Sequence, residues 1–185
     1  MPDERELIHN VLRGDLNAFG LLVTRYEKLV FSVLSRMTDN QEDVKDISQD
    51  VFIKVYKNLG SFKFQSKLST WIAKIAYLTA INDRKKWRGK HAGPMPEETA
   101  EIEFSGPDPA SLVIQKDVSS YLTKLVEQLP LQYKTVLTLY HIHEFSYLEI
   151  GQVTGLPEGT VKGYLFRARR LLKEKVEQFL NKELI

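Results

Sequence analysis

Residues 146–170 read SYLEIGQVTGLPEGTVKGYLFRARR, and this stretch gives the clearest indication of the fold. Ser146 followed by Glu149 is a capping-box pattern, which satisfies free amide groups at the start of a helix. Gly155 stands where a helix ends in a left-handed residue, and Pro157 suits the first turn of a following helix. The pattern predicts two helices joined by a tight turn.

The second helix of this pair is amphipathic and basic. Apolar residues at helical spacing predict a buried stripe of Val161, Leu165, Ala168, Leu171 and Leu172. The remaining surface carries Lys162, Tyr164, Arg167, Arg169 and Arg170. Basic side chains neutralise phosphates, and a guanidinium reads a guanine edge with two hydrogen bonds. An ordinary surface hairpin with solvated arginines is the alternative, but the combination favours a DNA-binding helix-turn-helix.

Length and composition limit the possible classes. The chain has 185 residues, a net charge of +2 and no cysteine. This length supports one or two domains with their own cores. The sequence has no apolar run that could span a bilayer and begins without the features of a signal peptide. Absence of cysteine excludes disulfides and thiolate metal sites. We therefore expect a cytoplasmic protein.

An acidic segment predicts the domain organisation. Residues 94–115 carry five carboxylates and no lysine or arginine, so the rest of the chain, whose total is +2, carries +7. Prolines and glycines punctuate this segment, which favours an extended linker between domains at 1–93 and 116–185. A segment that mimics nucleic acid in a basic channel is the alternative. The basic flanks suit a nucleic-acid partner.

The first domain is predicted to consist of four helices. Leu7 to Leu12 form a short amphipathic helix, and Asp15 can cap a long second helix that continues to Met37. Asn40 can cap a third, and a fourth begins near residues 66–69 and continues to Arg88. No alternation typical of strands appears, so the chain is predicted to be all-α.

The third helix has an acidic face formed by Glu42, Asp43, Asp46 and Asp50. Paired carboxylates can bind a metal or transfer protons, but no Glu-x-x-His ligand pair accompanies them. The four histidines lack ligand spacing, and no nucleophile motif or phosphate-binding loop occurs. A solvated face, or one that docks on a basic partner, is the favoured interpretation. We expect no metal, no cofactor and no enzymatic activity.

The fourth helix and the loop before it combine aromatic and basic residues. The candidates for nucleic-acid contact are Lys63, Phe64, Lys67, Trp71, Lys74, Arg84 and Lys85. Aromatic platforms in a cationic groove bind single-stranded nucleic acid by stacking. Trp71 alone is better explained as a core residue, whereas Phe64 lies in a polar loop after Gly60 and is not.

Several motifs, in order, resemble the extracytoplasmic-function (ECF) group of bacterial sigma factors. In the first domain they are GDLNAF at 14–19, followed by Tyr26, and DISQDVFIKVY at 46–56. A third lies between Phe62 and Ala76. In the second domain they are Leu129-Pro130, EIG at 149–151, GTVK at 159–162 and FRAR at 166–169. The resemblance covers nearly the whole chain and implies sigma domains 2 and 4.

The resemblance also implies roles for individual residues. The third helix would dock on the clamp helices of the largest subunit of core RNA polymerase, through Asp46, Gln49, Asp50 and Lys54. The fourth helix and its preceding loop would melt the −10 promoter element and hold a flipped base. The helix-turn-helix would read the −35 element as duplex DNA, with contacts from Thr160, Lys162, Gly163, Phe166, Arg167 and Arg170. Family members are commonly held inactive by an anti-sigma factor.

Two positions depart from the family pattern. Leu78 stands where some members place an asparagine at the flipped-base pocket, and Asn82 follows one turn later. Phe64 stands where a small residue is common. We therefore hypothesise an altered −10 preference, with Phe64 stacking on a base.

The sequence thus predicts a two-domain helical sigma factor that binds promoter DNA and core polymerase. A stand-alone helix-turn-helix regulator is the second possibility, and it would bind a symmetric duplex without polymerase. A helical adaptor that binds only proteins is the third, and it would not need Lys162 or Arg167.

Overall fold

The computed structural model describes residues 3–38, 40–90 and 118–183, and only the backbone of 85–90, 118–120 and 181–183. Within these ranges the helices are α1 (Glu4–Leu12), α2 (Leu16–Ser35), α3 (Gln41–Asn58), α4 (Leu68–Lys90), α5 (Val118–Gln128), α6 (Leu131–His141), α7 (Tyr147–Thr154) and α8 (Glu158–Glu183). A short 3-10 helix, Leu59–Ser61, follows α3. The described residues contain no strand, which confirms the all-α prediction. The predicted linker, 94–115, lies outside the described residues.

Helix starts follow the predicted caps. The Asp15 carboxylate accepts hydrogen bonds from the amides of Asn17 and Ala18 at 2.8 and 3.2 Å. Asn40 accepts one from the amide of Glu42 at 3.0 Å. Each bond satisfies a backbone donor that has no partner within its helix. These short-range signals fix where α2 and α3 begin.

The amino-terminal half is a helical bundle in which α2 packs against α1, α3 and α4. Its fully buried side chains include Leu22, Val30, Leu34, Val51, Val55, Leu68 and Ile72. The predicted inward face of α3 is confirmed, because Val44, Ile47, Val51, Phe52 and Val55 are all buried. The acidic side chains of α3 are consequently left on the outside.

The carboxyl-terminal half is organised around α8, which contacts α5, α6 and α7. Val161, Leu165 and Ala168 are buried as predicted, whereas Leu171 and Leu172 are only half-buried. Farther along α8, Phe179 stacks on Tyr121 of α5 with ring centroids 4.3 Å apart. The buried stripe therefore runs beyond the helix-turn-helix and holds α5 in place.

The two halves share one hydrophobic core. α4 packs against α7 as extensively as α2 packs against α3. The continuous cluster of buried residues includes Ile72 and Ala76 of α4 together with Ile150 and Val153 of α7. The sequence predicted two separate cores, so this contact between them is a finding of the structure.

None of the helices within the described residues combines the length and apolarity that a membrane span requires.

Gly151 supplies a first prediction, because a Cβ built there would lie 2.9 Å from the carbonyl oxygen of Leu156. Gly151→Ala should push the turn away from α7 and lower the free energy of unfolding by about 1–3 kcal/mol, as overpacking does. Gly163→Ala is the matched control, since its Cβ would meet the Arg167 side chain at an ordinary 3.5 Å. That change should stabilise α8 by up to about 1 kcal/mol. Urea denaturation should move the two midpoints in opposite directions, and equal midpoints would refute the steric argument.

Candidate nucleic-acid interface

The turn between α7 and α8 has the predicted geometry. The Ser146 hydroxyl accepts a hydrogen bond from the Glu149 amide at 3.3 Å, and the Glu149 carboxylate accepts one from the Ser146 amide at 2.9 Å. Gly155 is left-handed, with φ of 79°, and its amide donates to the Gly151 carbonyl at 2.8 Å. The Pro157 carbonyl then accepts the first hydrogen bonds of α8. The capping box and the glycine turn are both confirmed.

The first turns of α8 present a basic, partly apolar face. Lys162, Arg167 and Arg170 are exposed, and the Phe166 side chain is 66% exposed. Thr160 and Gly163 are half-buried beside them. Such a face offers cations for phosphates and an aromatic group for a thymine methyl. The predicted residues therefore lie together on one part of α8.

Ion pairs within α8 hold two of these cations loosely. Lys162 Nζ lies 3.1 Å from Glu158, and Arg170 Nε lies 3.7 Å from Glu174. All four side chains are more than half exposed. Because solvent screens such pairs, they contribute little to stability and are readily exchanged for a phosphate.

Two tyrosines orient the cations. Lys162 Nζ lies 5.4 Å from the ring centre of Tyr147, and the Arg167 guanidinium lies 5.9 Å from that of Tyr164. Both distances suit cation–π attraction. The spacing of Tyr164 and Arg167 on one helix could have indicated their contact. The contact of Tyr147 with Lys162 joins two helices and had no signal in the sequence.

The Arg169 side chain contacts α6 and does not belong to the basic face. Its Nε and Nη2 lie 3.2 and 3.1 Å from Nε2 of His141 at the end of α6. Burial and the adjacent guanidinium lower the pKa of His141, so that its ring nitrogen accepts a hydrogen bond from Arg169. This arginine joins α8 to α6 and leaves the basic face to its neighbours.

The exposed stripe of α4 contains four of the predicted −10 residues. Trp71, Lys74, Leu78 and Asn82 follow one another at spacings of three or four, which places them on one side of the helix. Lys74, Leu78 and Asn82 are exposed, and Trp71 is half-buried against the core, as predicted. Leu78 is an unusual residue here, because an apolar side chain 46% exposed interrupts a polar surface.

The loop before α4 presents Lys63 and Phe64 to solvent. Phe64 has a positive φ of 55°, which is rare for an aromatic residue. Its side chain is 47% exposed, and its ring lies 4.8 Å from that of Phe62. The Arg5 guanidinium of α1 lies 5.2 Å from the ring centre of Phe64, a contact that the sequence did not reveal. The loop thus holds an aromatic platform that is supported from two sides.

The remaining −10 candidates lie apart from this stripe. Lys67 is exposed but forms an ion pair with Glu149 of α7. Arg84 is half-buried and donates a hydrogen bond to the Met37 carbonyl at 3.3 Å. The side chain of Lys85 lies outside the described residues.

The outer face of α3 joins carboxylates to an apolar groove. Asp46, Gln49 and Asp50 are exposed at helical spacing. The groove between α2 and α3 has a volume of about 420 Å³ and is lined by Phe19, Val23, Glu27, Phe31, Ser48, Gln49, Phe52 and Ile53. Lys54 turns the other way, and its Nζ donates to the Thr79 hydroxyl at 3.1 Å. The groove was not predicted from the sequence. A signal for it existed, because Phe31 and Ile53 are apolar residues that fall outside the buried stripes of their helices.

Among the described residues, no group of three or more His, Cys, Asp or Glu side chains could hold a metal ion.

Comparison with known proteins identifies both halves. Residues 22–89 match the family model for sigma-70 region 2, and residues 119–172 match that for sigma-70, region 4. The RNA polymerase sigma-H factor of Pseudomonas aeruginosa is 32% identical, with 96% of this chain and 95% of the relative aligned. The ECF RNA polymerase sigma factor SigW of Bacillus subtilis is also 32% identical, with 93% of this chain and 96% of the relative aligned.

Solved structures share the fold. CnrH, described in complex with the cytosolic domain of CnrY, superposes with a TM-score of 0.65 at 21% identity over 95% of this chain and 97% of that one. RpoE of Bartonella quintana, solved in complex with the anti-sigma factor NepR, superposes with a TM-score of 0.64 at 16% identity. The alignment covers 86% of this chain and 96% of that one.

The helix-turn-helix, the acidic α3 and the aromatic–basic α4 therefore occur in one chain that aligns over nearly its full length with known sigma factors. Sigma factors are transcription initiation factors, so the prediction that the chain is not an enzyme is confirmed. The chain belongs to the sigma-70 family of RNA polymerase sigma factors, in its ECF group.

Proposed function

We propose that this sigma factor carries core RNA polymerase to a restricted set of promoters through three separate surfaces. Domain 4 (116–185) reads the −35 element as duplex through α8, and domain 2 (1–93) melts the −10 element through α4 and its loop. The outer face of α3 docks on the clamp helices of the largest polymerase subunit. The observation that carries this proposal is the exposed basic face of α8 behind a confirmed helix-turn-helix.

The duplex-reading role rests on charge and exposure. Lys162, Arg167 and Arg170 are exposed, and their carboxylate or aromatic neighbours hold them only weakly. Gly163 has no side chain to hinder a close approach of the backbone, and Phe166 offers an apolar contact. Thr160 is half-buried beside them. These are the contacts that position a helix in the major groove.

The melting role rests on the platform of Phe64 and the stripe of α4. A flipped base loses its stacking partners, and an exposed aromatic ring beside cations replaces them. Phe64 is half-exposed, its ring packs on Phe62, and Lys63 adjoins it in the chain. Lys67, Trp71, Lys74, Leu78, Asn82, Arg84 and Lys85 complete the proposed −10 surface. The apolar Leu78 supports a −10 preference that differs from that of members with asparagine there.

The polymerase-docking role combines charge with an apolar anchor. Gln49 lines the groove between α2 and α3, and Asp46 and Asp50 are exposed on the same helix. Lys54, which bonds to Thr79 of α4, completes the proposed set. Carboxylates around an apolar patch guide a basic partner while the patch supplies affinity.

Two further proposals follow from the sigma function. The protein acts in the cytoplasm, where the polymerase is. An anti-sigma factor holds it inactive. Two proteins with this fold support such a partner: CnrH, solved in complex with the cytosolic domain of CnrY, and RpoE, solved in complex with the anti-sigma factor NepR.

Run-off transcription by purified core polymerase, with a promoter fragment from upstream of its own gene, tests the proposed function. We expect co-elution with core polymerase and a new specific transcript. Arg167→Ala should keep co-elution and lower promoter-specific transcription roughly 5- to 150-fold, which corresponds to about 1–3 kcal/mol. Lys124→Ala is the control, because this exposed lysine lies on α5, outside the helix-turn-helix. Binding to a symmetric duplex without polymerase would instead indicate a stand-alone regulator.

Phe64→Ala should slow open-complex formation, because the platform for the flipped base is lost. Stacking of one base contributes about 1–3 kcal/mol, so the expected loss is roughly 5- to 150-fold. Phe64→Tyr keeps a ring and should retain most activity. Permanganate footprinting of the −10 element measures melting directly. Equal melting by the alanine variant and the parent protein would rule out a stacking role for Phe64.

Ile53→Ala should weaken binding to core polymerase roughly ten- to a hundredfold, since burying such a side chain contributes about 1.5–3 kcal/mol. Ile53 is 51% exposed, so its truncation should cost little stability in the free protein. Leu12→Ala is the control, because Leu12 is 53% exposed and lies on α1 outside the groove. Fluorescence anisotropy of labelled protein with core polymerase gives the two dissociation constants. An equal effect of both variants would contradict the docking surface.

A further inference from the structure

An open cleft lies between α5, α6 and α8, and the end of α2 contributes to its lining. Its volume is about 400 Å³. The apolar wall of the cleft consists of Leu122, Val126, Leu137, Ile142 and Leu172. Leu122 and Ile142 are 39% and 57% exposed, so water reaches this wall. An apolar ligand that covered the wall would release that water, which favours binding.

The same cleft contains two cations. Arg36, which follows the last residue of α2, and Arg169 of α8 line it together with His141 of α6. Burial and the adjacent Arg169 guanidinium lower the pKa of His141, so this ring is neutral at neutral pH. None of the lining residues that the structure describes is acidic. The cleft therefore combines an apolar wall with positive charge, which suits an amphipathic anion.

Arg36 has a donor without an acceptor. Its Nε is buried and makes no hydrogen bond within the described residues. A buried donor in this state has lost its water without compensation. Arg169 is different, because its Nε and Nη2 already contact His141. A carboxylate in the cleft would supply the acceptor that Arg36 lacks, and a guanidinium can bind both carboxylate oxygens at once.

The volume of the cleft limits the size of the ligand. A non-hydrogen atom of an alkyl chain needs a space similar to that of a water in the liquid, about 30 Å³, so the cleft holds roughly 13 such atoms. This is the size of decanoate or dodecanoate, and it excludes a lipid with two long tails. An α-helix about 10 Å across fills the same volume with one turn of about 5.4 Å. The cleft therefore suits a single alkyl chain better than a docked helix.

We propose that this cleft binds a single-chain carboxylate of about ten to twelve carbons, with its alkyl chain on the apolar wall and its carboxylate on Arg36 and Arg169. The ligand class is a medium-chain fatty acid with a free carboxylate. No residue of the three surfaces proposed for promoter and polymerase binding lines the cleft. The inference therefore goes beyond the proposed function and does not depend on it.

Isothermal titration of the full chain with fatty acids, below their micellar concentrations, tests the site. We expect one molecule for each chain, and an affinity that rises about fourfold for each CH₂ added from hexanoate to decanoate, as burial of a methylene predicts. 1-Octanol has the same tail length as octanoate without the charge and should bind at least about tenfold more weakly. Binding without a 1:1 end point, or without this dependence on chain length, would overturn the proposal.

The role of Arg36 is tested by Arg36→Met, which keeps most of the side-chain length and removes the charge. The affinity for octanoate should fall roughly 10- to 100-fold, whereas that for 1-octanol should not change. Arg13→Met is the matched control, since Arg13 is an exposed arginine at the end of α1, outside the cleft. A merely structural role would weaken both ligands equally, and that result would refute the contact of Arg36 with the carboxylate.

The apolar wall is tested by Leu122→Asp. The added carboxylate repels the ligand, so the affinity for decanoate should fall at least about tenfold. Leu180→Asp is the matched control, because Leu180 is 41% exposed on α8 and does not line the cleft. Circular dichroism should show that both variants keep their helix content. Equal binding by the two variants would indicate adsorption to the general surface and would overturn the site.

Other occupants of the cleft give different results. A second copy of the chain on the apolar wall would appear in sedimentation velocity as a dimer that Leu122→Asp dissociates, without decanoate binding, and this would overturn the proposal. A monomer that binds no fatty acid of any tested length would overturn it as well and would leave the cleft to a protein partner. Neither result bears on promoter recognition, which uses other residues.

Discussion

The Glu149 carboxylate joins three parts of this protein. It accepts a hydrogen bond from the Ser146 amide and so fixes the start of α7. It also accepts contacts from Lys67 and Thr70 in the other half of the chain. An isolated buried carboxylate would be costly, because desolvation disfavours its charge. Four donors offset that cost here: the amide and hydroxyl of Ser146, Lys67 and Thr70. A change at this position therefore affects the start of α7 and the contact between the two halves of the chain together.

The tight turn beneath this carboxylate imposes a second constraint. Gly151 leaves no room for a side chain against the Leu156 carbonyl, and Gly155 takes a left-handed conformation that closes α7. These two glycines set the direction in which α8 leaves the turn. The direction of α8 in turn decides that Lys162, Phe166 and Arg167 face outward while Val161 and Leu165 are buried. The basic face is thus a consequence of backbone geometry two turns away.

The sequence predicted the features whose partners lie within one helical turn. Asp15, Asn40 and the pair Ser146 and Glu149 bond to amides two or three residues away, so their spacing alone identified three helix starts. Buried stripes in α3 and α8 were predicted for the same reason, since helical period determines which side chains share a face. The fold class and most residues of the basic face on α8 could be derived in this way.

The features that the sequence did not predict depend on contacts between distant residues. The ion pair of Lys67 with Glu149 spans 82 positions, and nothing in either segment indicates the other. The same holds for Arg5 at Phe64 and for Lys54 at Thr79. The position of Leu148 in a short apolar helix likewise does not reveal that this residue is 63% exposed. Which face of a short helix is covered depends on the packing of its neighbours.

The ion pair of Lys67 with Glu149 exposes its two charges to solvent to different degrees. Lys67 is 71% exposed and stays hydrated, whereas the Glu149 side chain is 13% exposed. Glu149 therefore carries the larger desolvation cost of the pair, because burial disfavours its charge. Its bonds to the amide and hydroxyl of Ser146 lie within the cap of α7 and offset part of that cost without Lys67. Loss of Lys67 alone should therefore leave the start of α7 in place and weaken only the contact between the two halves of the chain.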